Sequence, residues 1–302
     1  MELLYLIFAV LAIIFLTTKL KIHAFLALFI ISIAYGLLAG MPCADIILSI
    51  NEGFGGTLGK IGLIIVLGVI IGAFLENTGG AFAIAERVLR FIGKNRVTTA
   101  MGIIGYIVSI PVFCDSGFML LHPLNKSLSK KANLSIAGPA VALGLGLMAS
   151  HTMVPPTPGP IAAAGILGAD LGMVIAFGFP ISIIALTVGI LFAKKYAAKT
   201  EIAPALETER EKEKRIDNPP SAIRASIPIL VPILLIVLKS ILNSGAKGVH
   251  NPVTEVIDFL GEPIIALLLG VFLCLLLPKK LNYDMLSSAG WVGKAIKDAA
   301  SI

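Results

Sequence analysis

The segment SHTMVPPTPGP, residues 150–160, interrupts the longest stretch of the chain without Lys or Arg, residues 132–193. Four prolines crowd the second half of this segment. Because proline lacks a backbone N–H and its ring clashes with the preceding helical turn, no regular helix can run through it. Apolar residues flank the segment over lengths that suit a lipid bilayer. The stretch therefore predicts a broken membrane span at about 134–168 and an intact span at about 171–193.

The composition also places the chain in a membrane. Of the 302 residues, 57% are hydrophobic and only 14% are charged, and the mean hydropathy is +0.96. A soluble domain carries about 25% charged residues. The net charge of +6 comes from basic residues in short loops between apolar runs, which is typical of membrane topology and not of a nucleic-acid partner. The three cysteines are scattered, so we predict no disulfide framework, no metal site and no cofactor.

Further apolar runs of span length lie on both sides of the proline segment. They predict membrane spans at 3–18, 24–40, 61–75, 226–242 and 258–278. Residues 81–96 place apolar and basic side chains on opposite faces of a helix, which predicts either an amphipathic helix in the membrane interface or an ordinary surface helix. Residues 194–225 are polar and highly charged, and we interpret them as a solvated cytoplasmic linker.

A second interruption falls within residues 97–125, which also lack Lys and Arg. The segment IPVFCDSGF, residues 110–118, breaks this stretch in its middle, and a polar loop at 122–133 follows. At 1.5 Å per residue, each arm reaches only about the midplane of a bilayer core roughly 30 Å thick. The arms predict a re-entrant hairpin, which enters and leaves on one side of the membrane and carries Asp115 at its tip. A full span through 97–125 is the alternative.

The loop charges set the direction of the spans, since cytoplasmic loops carry an excess of Lys and Arg. With the N-terminus outside and the hairpin on the inner side, all but three of the 24 Lys and Arg residues fall in cytoplasmic segments. The three exceptions are Lys60, Lys239 and Lys247. This partition favours the hairpin topology over a full span through 97–125.

Backbone that leaves a helix inside a membrane must be buried in protein or line a wet cavity, and carriers often place substrate sites where such breaks meet. A carboxylate at the bilayer centre costs about 2.5–3.5 kcal/mol, so we predict a proton-coupling role for Asp115. The alternative is a structural acid that caps the second hairpin arm. His151 is a second proton-coupling candidate, or else a packing residue. The predicted substrate-binding residues are Ser116, Gly117, Ser150, His151, Thr152, Thr157 and Gly159.

Both interruptions carry extended motifs, FCDSGFMLLHPL (113–124) and SHTMVPPTPGPIAAAGILGADLG (150–172), supported by GMPCADIILSINEGFGGTLGKIGLI (40–64) and FLGEPIIALL (259–268). In these motifs the sequence resembles the gluconate:proton symporter family. The resemblance implies a proton-coupled carrier for gluconate or a related sugar acid, with the family's acid at Asp115 and its histidine at His151. Thr152 and Thr157 stand where members commonly carry glycine and histidine, which extends the implied substrates to glycerate, other hydroxy acids and D-serine.

The same resemblance implies an ion-transporter fold with two inverted repeats. Within the sequence, spans and a Gly- and Lys-rich lead-in occur twice, at 3–18, 24–40 and 52–60 and again at 226–242, 258–278 and 290–298. We therefore predict an all-α polytopic membrane protein in three parts. These are a first repeat at 1–193, the linker at 194–225, and the start of a second, truncated repeat at 226–302.

Together these features predict a proton-coupled symporter of gluconate or a related hydroxy acid in the cytoplasmic membrane. Its partners would be a small carboxylate substrate, a proton and the lipid bilayer, and a homo-oligomer is compatible with the sequence. The alternatives are a sodium-coupled carrier of a small organic acid or of an amino acid such as D-serine, and a non-transporting membrane fragment. The sequence contains no H-E-x-x-H and no G-x-S-x-G motif, so we do not expect an enzyme.

Overall fold

The computed structural model describes residues 2–93, 96–203, 219–245 and 252–300. These residues form helices and turns without a β-strand, which confirms the predicted all-α class. Their contacts divide the chain into two compact units, residues 1–60 and 61–302. The middle of the predicted linker, residues 204–218, lies outside the described residues.

The first unit contains three helices, α1 (Glu2–Thr18), α2 (Ala24–Leu38) and α3 (Cys43–Thr57). α1 and α2 coincide with the predicted spans at 3–18 and 24–40, and both expose large apolar side chains along most of their surface. Such exposure is expected of helices that contact lipid, where apolar side chains need no protein cover. α2 packs on α3 where the side chain of Ile46 lies against Gly36.

The second unit carries the elements around both interruptions. A π-helical turn (Leu58–Gly62) precedes the first helix of this unit. The helices are α4 (Leu63–Asn77), α5 (Gly80–Ile92), α6 (Val97–Val108), α7 (Cys114–Lys131), α8 (Ala137–Met153), α9 (Pro158–Leu167), α10 (Leu171–Lys195), α11 (Ala222–Gly245), α12 (Pro252–Leu260), α13 (Pro263–Cys274), α14 (Tyr283–Leu286) and α15 (Trp291–Ala299), with a 3-10 turn at Ala197–Lys199.

Within the described residues, four helical segments are long and apolar enough to cross a membrane. They are Cys43–Asn77, Ala137–Leu167, Leu171–Lys199 and Ala222–Asn243, and the bent pair Thr254–Leu260 and Pro263–Cys274 makes a fifth if it counts as one span. These segments agree with the multi-pass membrane protein predicted from composition.

The proline segment interrupts the helix as predicted. α8 ends at Met153, α9 begins at Pro158, and residues 154–157 between them are not helical. α10 runs on for 25 residues in spite of Pro180 in its interior. Both elements predicted at 134–168 and 171–193 are therefore present, the first broken and the second intact.

The segment after the first interruption differs from the prediction. Only residues 109–113 are non-helical, and α7 continues to Lys131, so the polar loop predicted at 122–133 is wrong over most of its length. Leu121, Leu124 and Leu128 form a buried apolar stripe at helical spacing. Burial of this stripe stabilises the helix more than the turn-forming residues between the leucines destabilise it. Lysines in the last turn of α7 also suit the negative end of a helix dipole.

The span predicted at 258–278 corresponds to a bent pair of helices. Its two halves, α12 and α13, meet at an angle of 69°. Glu262 at the bend has an extended backbone, with φ −60° and ψ 126°, because the following Pro263 disfavours a helical conformation in the residue before it. Lys239 of α11 donates a hydrogen bond to the Glu262 carboxylate and ties the bend to the neighbouring helix.

The helix predicted at 81–96 is present as α5. Its buried face packs against other helices of the second unit and carries Ala81, Ile84, Ala85 and Leu89, whereas Arg87 and Arg90 are exposed. A helix with this division of side chains suits a boundary between an apolar and a polar phase. Its location in the membrane interface stays a prediction.

The first residues of the predicted linker are packed against the protein. The backbone N–H of Ile136 donates to the carbonyl of Ile202 at 3.1 Å, and the Ser135 hydroxyl donates to the carbonyl of Thr200 at 2.6 Å. The loop before α8 is therefore anchored to the segment that follows α10.

Close helix packing surrounds the two interruptions. α6 packs most extensively against α8, where a Cβ on Gly146 would overlap the carbonyl oxygen of Gly102. α4 packs against α13 and α15, and the rings of Phe74 and Trp291 meet edge to face with centroids 5.4 Å apart. These contacts fix α4, α6 and α8, which position the site.

Candidate functional site

The two non-helical segments open onto one cleft. The cleft is narrow and partly open to solvent, and it is formed by the first interruption, the second interruption and one face of α4. Its lining residues are Gly68, Val69, Ile110, Pro111, Val112, Phe113, His151, Pro156, Thr157 and Pro158. The two interruptions therefore line one cleft, and its use as a substrate pocket stays a prediction.

The first interruption is short and held by local bonds. α6 stops at Val108, and the hydroxyl of the buried Ser109 donates to the carbonyl of Val112 at 3.2 Å. The N–H of Val112 in turn donates to the carbonyl of Val108 at 3.2 Å. Phe113 then takes an extended conformation and starts α7. The turn directs the Phe113 ring toward α8.

The second interruption follows directly from its prolines. The N–H of Val154 still donates to the carbonyl of Ser150 at 2.8 Å, but neither Pro155 nor Pro156 can continue the ladder. The peptide bond between these two prolines is cis. Thr157 is the N-cap residue of α9, and its hydroxyl donates to the carbonyl of Val154 at 2.8 Å. Thr157 lines the cleft, and its hydroxyl oxygen can still accept a hydrogen bond.

His151 connects the two interruptions. It lies in the last turn of α8 and lines the cleft, and its ring meets the ring of Phe113 with centroids 5.8 Å apart. Its Nδ1 atom is shielded from solvent and has no hydrogen-bond partner within the described residues. A buried nitrogen without a partner is costly in a purely structural histidine. His151 is thus placed to exchange a hydrogen bond with a molecule in the cleft.

Asp115 lies in the first turn of α7, close enough to His151 to act on it electrostatically. Its side chain is exposed in the isolated chain and lies beside the cleft lining rather than within it. No side chain caps the N-terminus of α7, so the alternative role of Asp115 as a capping acid is not observed. The two predicted proton-coupling residues flank different interruptions, with Asp115 after the first and His151 before the second.

The remaining predicted binding residues do not line the cleft. The hydroxyls of Ser150 and Thr152 donate to carbonyls of their own helix, at 3.4 Å and 2.8 Å. Gly117 is buried where its missing side chain makes room for Leu147. Ser116 is partly buried in the first turn of α7, and Gly159 is exposed in the first turn of α9. Their part in substrate binding stays a prediction.

Sequence reasoning missed the wall that α4 contributes. Gly68 and Val69 line the cleft, although the third span was predicted only as a membrane crossing. One signal was available, because Gly68 and Gly72 form a small-xxx-small pair of the kind that allows close helix packing in membranes. Among the described residues, no group of three His, Cys, Asp or Glu side chains is placed to hold a metal ion.

Carriers often place their substrate sites where interrupted helices meet within the membrane, and in this all-helical chain two interrupted segments line one cleft. Sequence comparison agrees, because the sequence profile described as GntP family permease matches residues 1–302. The chain therefore belongs to the GntP family of permeases, and its long apolar helices suit a multi-pass membrane protein. The resemblance to the gluconate symporter family is confirmed.

Several curated relatives match most of the chain. It is 36% identical over 290 residues to an uncharacterized permease of Haemophilus influenzae, covering 91% of this chain and 59% of the relative. It is 34% identical over 270 residues to the gluconate permease of Pseudomonas aeruginosa, covering 88% and 60%. It is 33% identical over 272 residues to the D-serine transporter DsdX of Escherichia coli, again covering 88% and 60%.

The chain spans about 60% of the length of these relatives. No solved structure matches it. The activity, substrate and coupling ion of the whole protein are therefore matters of proposal.

Proposed function

We propose that this chain provides a substrate site for proton-coupled symport of gluconate or a related hydroxy acid across the cytoplasmic membrane. The observation that carries the proposal is the cleft between the two interruptions, with His151 in its wall and Asp115 beside it. The names of relatives support the substrate class, since they include gluconate permeases and a D-serine transporter. Gluconate, glycerate and D-serine all combine a carboxylate with a hydroxyl.

The start of α7 offers a place for the carboxylate. The N–H groups in the first turn of any helix have no carbonyl partner in that helix, and together they carry a partial positive charge. In α7 these groups belong to Cys114, Asp115 and Ser116. The prolines of α9 leave far fewer donors, because Pro158 and Pro160 have no N–H. The carboxylate would therefore bind at α7, and the substrate hydroxyls would reach His151 and Thr157.

This arrangement explains how a proton and an anion would bind together. A substrate carboxylate at the N-terminus of α7 is close to Asp115, and two like charges at short range repel each other. A proton on Asp115 removes the repulsion, so proton binding favours substrate binding. Because binding energies are linked reciprocally, the substrate favours the proton to the same extent. Asp115 is thus the group through which a proton gradient drives uptake.

The experiment is uptake of labelled gluconate, glycerate and D-serine into proteoliposomes with an acidic exterior. We expect Asp115→Asn to abolish accumulation driven by the pH gradient but to retain exchange of internal for external substrate, since the amide is permanently neutral. Asp45→Asn is the matched control, because Asp45 is also an exposed acid in the first turn of a helix, α3. Accumulation by the Asp115→Asn protein on a pH gradient would refute the coupling role.

The coupling ion is tested in the same vesicles. Accumulation on a sodium gradient at equal internal and external pH would favour the sodium-coupled alternative. No uptake and no exchange of any of the three acids would favour a membrane segment that does not transport by itself.

We propose the topology along with the function. Residues 1–193 would form a first repeat with the N-terminus outside, α6 and α7 would form a re-entrant hairpin, and α5 would lie in the cytoplasmic membrane interface. Residues 226–302 would start a second, inverted repeat after the linker at 194–225. Support comes from the loop charges, from the short arm α6 and from α15, a helix at the predicted lead-in 290–298.

A further inference from the structure

The two interruptions are held against α4 by the same kind of contact. Gly68 and Gly72 are four residues apart and lie on one face of α4. A Cβ on Gly68 would lie 3.0 Å from the carbonyl oxygen of Pro156 in the second interruption. A Cβ on Gly72 would overlap the carbonyl oxygen of Pro111 in the first interruption. Each interruption thus turns one backbone carbonyl toward one glycine of α4.

Neither the Pro111 nor the Pro156 carbonyl accepts a hydrogen bond from the residues that the structure describes. In both cases a hydrogen on the glycine Cα takes the position of a side chain beside the oxygen. Cα–H···O contacts of this kind recur where helices approach closely and add a weak attraction. The repeated geometry makes α4 the common support of both interruptions.

The two glycines differ in what a larger residue would do. At Gly72 the obstruction is an overlapping backbone atom, so a methyl group would force α4 and the first interruption apart. At Gly68 the contact of 3.0 Å needs the Pro156 carbonyl to yield by only a few tenths of an ångström. Gly68 also lines the cleft, whereas Gly72 does not. A substitution at Gly68 therefore changes the cleft without dismantling its support.

We propose that Gly68 is a specificity-determining residue, whose missing side chain sets the width of the cleft between α4 and the second interruption. This inference rests on the proposed function, because it assumes that a hydroxy acid binds in the cleft. A methyl group at Gly68 narrows the space beside His151 and Thr157, where the far end of a long hydroxy acid would lie. Long substrates lose affinity, and short ones that end before this point keep it.

The test compares the affinity of the protein for gluconate, a long hydroxy acid, with its affinity for glycerate, a short one. Dissociation constants come from the ligand-dependent rise in melting temperature of the purified protein in detergent. Since one methyl-sized change in a pocket alters discrimination by about tenfold or more, we expect Gly68→Ala to weaken gluconate relative to glycerate by roughly tenfold. Gly144→Ala is the matched control, because its Cβ would meet only the Phe118 ring, at 4.0 Å.

A second variant moves the cleft in the opposite direction. Val69 also lines the cleft, and Val69→Ala widens it, so this protein should favour gluconate over glycerate more than the wild type does. Opposite shifts in the two variants with an unchanged ratio in Gly144→Ala support the assignment. An unchanged ratio in Gly68→Ala and Val69→Ala, in a protein that binds both acids, overturns it alone. Failure of the wild type to bind any hydroxy acid overturns it together with the proposed function.

Discussion

A buried hydrogen bond joins α6 to α10, and it allows a quantitative test of the fold. The Tyr106 hydroxyl of α6 lies 2.6 Å from the Ser182 oxygen of α10. Ser182 donates its own proton to the carbonyl of Phe179 at 2.7 Å, so Tyr106 must be the donor in the shared bond. Both side chains are buried, with Tyr106 only 4% exposed and Ser182 fully buried. The bond should therefore be well protected from competing water.

The size of the effect follows from this geometry. A buried neutral hydrogen bond contributes about 0.5–1.5 kcal/mol to stability, and interhelical pairs inside a membrane average about 0.6 kcal/mol with a maximum near 1.7. The bond is short and shielded, so we expect a value near 1 kcal/mol. Tyr106→Phe should cost about this amount. Ser182→Ala should cost more, because it leaves the buried phenol without an acceptor.

The assay is a double-mutant cycle on the free energy of unfolding, measured with increasing sodium dodecyl sulfate in mixed micelles. We expect the double variant to be no less stable than Ser182→Ala alone, which gives a coupling energy of about 1 kcal/mol. Independent sites add within about 0.3–0.5 kcal/mol. Single effects that sum to the double effect within this margin would show that the two side chains do not interact, and that α6 is not fixed to α10 in this way.

Two further predictions address the helix pairs and the topology. Gly146→Ala should destabilise the protein by about 1–3 kcal/mol in the same unfolding assay, because its Cβ overlaps a backbone oxygen of α6. Gly144→Ala on the same helix should be neutral or stabilising. Equal stabilities of the two variants would contradict the packing of α8 on α6. In a variant without native cysteines, Lys126→Cys should react with an impermeant thiol reagent only after the cells are opened, and Lys239→Cys should react in intact cells. Labelling of Lys126→Cys in intact cells would instead indicate a full span through 97–125.

The sequence predicted those elements whose boundaries depend on local chemistry. Prolines cannot continue a helix, so the interruption at 154–157 follows from composition alone. The spans that became α1, α2, α10 and α11 are runs of apolar residues, for which length is sufficient evidence. The errors occurred where burial in the tertiary structure decides whether a segment is helical. The helix through Asn125 and Lys126 depends on leucines that meet the core, and no local rule weighs that burial against turn-forming residues.

The candidate site was predictable in part for a related reason. His151 and Thr157 stand out because polar side chains beside a helix break in a membrane are expensive unless they are used. Ser150 and Thr152 are also polar residues beside the break, but their side chains do not line the cleft. Their hydroxyls bond to carbonyls of their own helix, as serine and threonine often do. Residue type thus identified the region of the site. The direction of each side chain, which follows from its position around the helix axis, decided which residues line the cleft.

The role of α4 shows what a pattern of small residues can and cannot predict. Gly68 and Gly72 in the sequence indicate that some backbone approaches this face closely. The usual partner for such a face is a neighbouring helix, whose carbonyls are already bonded within their own ladder. In this protein the glycine face of α4 instead contacts the carbonyls of Pro111 and Pro156, which take part in no helical hydrogen bond and come from segments distant in the chain. Each interruption leaves a backbone oxygen outside the helical hydrogen bonds, so one glycine face of α4 contacts both interruptions, and the proposed role of Gly68 in setting the cleft width follows from this contact.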